Sequence, residues 1–129
     1  MSYSISKTTN LPYEEAVERT VEELKKDGFG VLTEIDVRAT LKKKLDVDFP
    51  RYIILGACNP PFAHRALSAE TEIGLLLPCN VIVHELKDGS VSIAAMDPAV
   101  VMNFVENDEI KKVAAEVREI LVRVLDRIG

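Results

Sequence analysis

From Asn107 onward, apolar residues return every three or four positions: Ile110, Val113, Ala114, Val117, Ile120, Leu121, Val124 and Ile128. Glu109, Lys111, Lys112, Glu116, Arg118, Glu119 and Arg123 occupy the other positions. This pattern predicts one long helix with a single apolar face. Asn107 is placed to cap its first turn. Such a face has to be covered, by a sheet or by another helix, and the remainder of the chain has to supply the cover.

The residues before it supply strands. Lys87-Asp88-Gly89-Ser90 is a tight-turn sequence. It joins a run over Asn80–Leu86 to a returning strand in which Val91, Ile93 and Ala95 alternate with Ser92 and Ala94. Ile73–Leu77 reads as a further strand, or as the same strand interrupted at Pro78, which would then mark an edge or a bulge because proline donates no ladder hydrogen bond. Arg51–Cys58, with Tyr52-Ile53-Ile54-Leu55, has the length and content of a buried strand. Gly56 and Ala57 within it leave room for a close approach of backbone or ligand. Residues 3–8 and 29–35 also read as strands.

Helices fall between them. Pro12 to Asp27 is amphipathic, with Glu14 and Glu15 at the positive end of the helix dipole, Lys25 and Lys26 at the negative end, and Gly28 closing it. Asp36 caps a helix with Val37, Leu41 and Leu45 on one stripe. Phe62–Ala69 is a short helix after Asn59-Pro60-Pro61. Asp97-Pro98 opens another that runs to about Phe104. Strands consecutive toward the end, with helices around them, predict a two-layer α+β fold: an antiparallel-rich sheet with helices on one face. No repeat or linker divides residues 1–129, so a single domain is expected.

Charge and hydropathy exclude some functions. A net charge of −5 is the wrong sign for a protein that binds by neutralising phosphates. The Lys42-Lys43-Lys44 cluster reads as a solvated helix face. No apolar run approaches the ~20 residues of a membrane span, and the first residues, Met-Ser-Tyr-Ser-Ile-Ser-Lys, lack an apolar leader. A cytoplasmic protein with reduced thiols is expected.

Chemistry concentrates between Gly56 and Asn80. Both cysteines lie there, each followed by asparagine: Cys58-Asn59 and Cys79-Asn80. The candidate pocket residues are Cys58, Asn59, Pro60, His64, Pro78, Cys79 and Asn80. Free cysteine is often a small buried hydrophobe. A thiol before a helix start has its thiolate favoured and is a nucleophile or a soft-metal ligand. Cys58, His64, Cys79 and His84 have the right number and type for tetrahedral zinc, but the spacing matches no standard knuckle. Cys58 and Cys79 alone remain candidates for a soft metal. Cys58 with His64 six residues on is a candidate nucleophile and base. Asn59 and Asn80 either hold their turns in shape or read a polar ligand. Gly28-Phe29-Gly30 lacks the third glycine of a phosphate loop.

The segments Gly56-Ala57-Cys58-Asn59-Pro60 with Ala63-His64, Leu76-Leu77-Pro78-Cys79-Asn80-Val81 and Met96-Asp97-Pro98 resemble those of the 302 family of domains of unknown function. Tyr13-Glu14-Glu15-Ala16 and Gly28-Phe29-Gly30-Val31 extend the resemblance over nearly the whole chain. It implies a small α+β domain with an antiparallel sheet and is compatible with dimers. It implies no activity and no catalytic residues. It carries over only positions: Cys58, Asn59, Pro60, Pro78 and Cys79 match its signature segments. The functional expectations are therefore a small ligand- or soft-metal-binding or sensing domain with a thiol-containing pocket, a thiol-dependent enzyme, or a structural homodimer using the 73–83 run or the last helix as its interface. No cofactor is assigned.

Overall fold

A computed structural model of the chain describes residues 2–129. Five strands form one antiparallel sheet in the order β1-β5-β4-β3-β2. They are β1 (Ser4–Thr9), β2 (Gly30–Asp36), β3 (Tyr52–Cys58), β4 (Cys79–Glu85) and β5 (Val91–Met96). The helices are α1 (Tyr13–Lys26), α2 (Val37–Leu45), α3 (Pro60–Ala69), α4 (Pro98–Val101) and α5 (Asp108–Arg127). The α+β architecture follows the expectation.

The period-2 pattern sets the two faces of the sheet. Val81, Val83, Ile93 and Leu55 are fully buried and join Ile110, Val113, Val117 and Leu121 of α5 in one core. The opposite face carries Ile54, Ile82, His84 and Ser92, all only half-buried, with the His84 ring stacked on Tyr52 at 5.0 Å between centroids. Burying the α5 stripe against the first face supplies a large share of the apolar stabilisation, since burial of each large aliphatic side chain contributes about 1.5–3 kcal/mol.

Caps and ion pairs fix the helices around α5. Asn107 Oδ1 accepts hydrogen bonds from Glu109 N and Ile110 N. Asp36 caps α2 and Asp97 caps α4, each accepting from a first-turn N–H. Arg127 of α5 donates to Glu23 Oε1 at 2.7 Å and to Asp27 Oδ2 at 2.8 Å, tying α5 to α1. Lys26 and Arg127 hold the Glu23 carboxyl below the usual carboxylate range. Arg65 joins α3 to α5 through Glu109 and Glu116, both at 2.9 Å.

Three expectations are corrected. Ile73–Leu77 is not a strand: Thr71–Leu76 is a 3-10 helix. An apolar run of that length does not by its pattern distinguish the two. Pro78 breaks no ladder, because it precedes the first residue of β4, and the Leu77–Pro78 peptide is cis. The bulge lies instead in β2, between Val31 and Thr33. The α4 helix ends at Val101, with turns beyond it. β4 is paired on both sides, and the α5 stripe packs into the chain's own core.

Candidate functional site

Ala57 pairs with Cys79 across β3 and β4. The two cysteines, 21 positions apart in sequence, therefore sit on adjacent strands, one step from opposition. Around them is a cavity of about 300 Å³. Its floor is the end of the sheet, with Ala57, Cys58 and Cys79. One wall is α3, through Phe62, Ala63, Ala66 and Leu67. The other is α5, through Ile110, Val113, Ala114 and Val117. Phe29, Leu32, Pro78 and Met102 close the ends. The bulge in β2 leaves Leu32 as the extra residue, and bulges re-aim side chains; Leu32 here reaches the cavity.

Polar groups are scarce in it. Asn59 is buried and donates from Nδ2 to Asp27 O at 3.1 Å, which locks the start of α3 to the turn between α1 and β2. That turn needs Gly28, whose φ of 88° lies in the left-handed region. Its position also faces Asn59, because a Cβ there would stand 3.1 Å from Nδ2. Asn59 thus holds a turn in shape and lines the cavity as well.

Of the candidate pocket residues, Cys58, Asn59, Pro78 and Cys79 line this space. Pro60 begins α3 at the surface. His64 is exposed on α3 and does not line the cavity, so Cys58 and His64 are not brought together there. Asn80 is exposed, paired with Gly56 on the other sheet face. His84 lies on that face too, so the four zinc candidates do not converge. Among the described residues, no group of three or more His, Cys, Asp or Glu is arranged to hold a metal ion. The sequence reading missed the apolar walls. The only signal for them is that Ala63, Ala66 and Ala114 are small where Leu or Ile would fill the gap.

Burial, and secondarily the neighbouring Cys58, pushes the Cys79 thiol up to about 11 from its usual 9.0. At pH 8 Cys79 then carries about a hundredfold less thiolate than an ordinary thiol. Cys58 is only half-buried. Iodoacetamide at pH 8 is expected to label Cys58 and leave Cys79 untouched on the same timescale; equal labelling of both, followed by intact mass, would sink this. The raised thiol also links folding to pH. Stability from the neutral Cys79 is complete below pH 9 and is lost as pH rises from 9 through 11. Denaturant midpoints across that window should fall in the native chain and fall less in Cys79→Ala.

The chain matches the family described as Domain of unknown function DUF302 over residues 5–128. The chain belongs to the DUF302 family. The solved structure of an uncharacterized conserved protein DUF302 from Bacillus stearothermophilus is similar to it, with a TM-score of 0.93 at 30% identity over 100% of both chains. None of the curated proteins matches the chain. Membership in DUF302 agrees with the resemblance read from the Cys-Asn-Pro and Leu-Pro-Cys segments. It brings no activity with it. No helix among the described residues is long and apolar enough to cross a membrane.

Proposed function

We propose that this chain is a cytoplasmic binding or sensing domain for a small, mostly apolar molecule. The observation that carries the reading is the 300 Å³ cavity between α3 and α5. Its size lies at the small end of ligand pockets, and its lining is apolar with a few placed polar groups, as such pockets are. The ligand would sit against Phe62, Met102 and Val113, with Asn59 and the two thiols at one end. Two unpaired cysteines accord with a reducing compartment. A thiol enzyme would need a base beside Cys58. His64 does not line the cavity, so the binding reading is preferred.

A second reading keeps the same site. The two thiols share one cavity, and thiols favour soft metal ions such as Cu(I). A native mass spectrum of freshly purified protein separates the two. An organic mass excess, or saturable binding of the neutral fluorophore N-phenyl-1-naphthylamine, supports the apolar ligand. An excess equal to one metal ion, lost in Cys58→Ser and Cys79→Ser, supports the metal. Ala63→Trp should fill the cavity and abolish fluorophore binding while circular dichroism stays native. A chain that binds neither fluorophore nor metal, with Ala63→Trp as stable as the parent, overturns both.

A further inference from the structure

The strand β2 is an edge of the sheet, and six of its seven residues are exposed. The helix that follows, α2, has no buried residue at all. A nine-residue helix is too short to be stable in water on propensity alone, so its apolar side needs a cover. Five large apolar side chains are exposed from β2 to the start of β3: Leu32 (68%), Ile35 (49%), Leu45 (66%), Val47 and Phe49. An uncovered edge with apolar neighbours is a surface made for another chain.

We propose that the occupant is a second copy of this chain, paired through β2 about a two-fold axis, and that each copy's α2 covers the cavity mouth of the other. The covering half of this rests on the binding role given to the cavity above. Charge is the first argument for a second copy. Arg38, Lys42, Lys43 and Lys44 place four cations on α2, while the chain as a whole carries −5. Lys42 is paired within its own chain to Asp46 at 2.9 Å and to Asp48 at 3.3 Å, so Arg38, Lys43 and Lys44 are the cations of α2 that can meet the chain's own acidic surface, including Glu70 and Glu72 near the cavity-lining Gly74.

Direction is the second argument. An antiparallel edge strand is complementary to its own copy, and a two-fold interface requires that self-complementarity. In β2 the Gly30 end lies opposite Cys58, beside the cavity, and α2 follows the Asp36 end. Seven extended residues span roughly 20 Å, which separates α2 from its own cavity. Antiparallel pairing reverses the copy and lays its Asp36 end, with α2, beside the Gly30 end of the first. Leu45 and Val47 of one copy then face the Leu32 and Leu67 rim of the other.

The test combines mass in solution with N-phenyl-1-naphthylamine binding. The native chain is expected at twice its chain mass. Leu45→Glu and Ile35→Lys change side chains that are 66% and 49% exposed, and circular dichroism checks that both variants stay folded. They should give folded monomers that bind the fluorophore at least about tenfold more weakly, because the cavity mouth is left open. A monomeric native chain overturns the proposal, as does a dimer that survives both substitutions. Monomeric variants that bind the fluorophore as tightly as the parent overturn the covering role and leave the cavity reading intact. A dimer broken by both substitutions that never binds the fluorophore supports the pairing and overturns the cavity reading.

Discussion

Leu121→Ala should cost about 2–5 kcal/mol of stability. Leu121 is fully buried at the middle of the α5 stripe, where it meets the helix-facing side of the sheet. Removing three methylene-sized groups leaves a hole that Arg65, Arg118 and Arg127, each paired to a fixed partner, cannot close by shifting α5. Urea unfolding followed by circular dichroism reads the loss as a lower midpoint at unchanged slope, and as a fall of about 10 °C or more in Tm. Leu75→Ala is the control: the side chain is 82% exposed, and its truncation should stay within about 0.5 kcal/mol. Equal losses at both positions would mean that α5 is not the centre of the core.

Gly56→Val should cost about 3 kcal/mol, for the opposite reason. Gly56 sits in β3 between Thr33 of β2 and Asn80 of β4. A Cβ there would overlap Thr33 Oγ1 outright and stand 2.9 Å from Pro78 Cγ. The threonine can rotate away, but the proline ring cannot. Overpacking must therefore move β3 against the start of β4, where Cys79 enters the cavity. The measurement is again a denaturation midpoint, joined by thiol labelling. Cys79 should become reactive in Gly56→Val if the strand end is displaced. A variant as stable as the parent would show that the two strands tolerate separation.

Much of this was legible in the sequence, for physical reasons that differ between elements. The α5 helix was readable because a stripe sustained over twenty residues has one period and few competitors. The caps at Asp36, Asp97 and Asn107 were readable because only short polar side chains satisfy first-turn N–H groups. Gly56 was readable as a place of close approach, though not what approaches it. The 3-10 helix at Thr71–Leu76 was not readable, since Ile73, Leu75, Leu76 and Leu77 suit a strand equally well. The convergence of Cys58 and Cys79 was also hidden, because strand register is set by partners and not by local sequence. The outward direction of His64 depends on how α3 rotates to bury Ala66. The stripe of α2 was seen, but a pattern cannot tell whether its cover comes from the same chain.

The position of α5 has a consequence for how the chain is made. Every strand of the sheet is synthesised before α5, which completes a cover that α1 begins. At about 5–20 residues per second, the twenty residues of α5 take roughly one to four seconds to add. During that interval Val81, Val83 and Ile93 have only α1 over them, and the nascent sheet leaves part of its apolar face open to the cell. The core is complete only once α5 docks, so slower synthesis of residues 108–127 lengthens the exposure of that face.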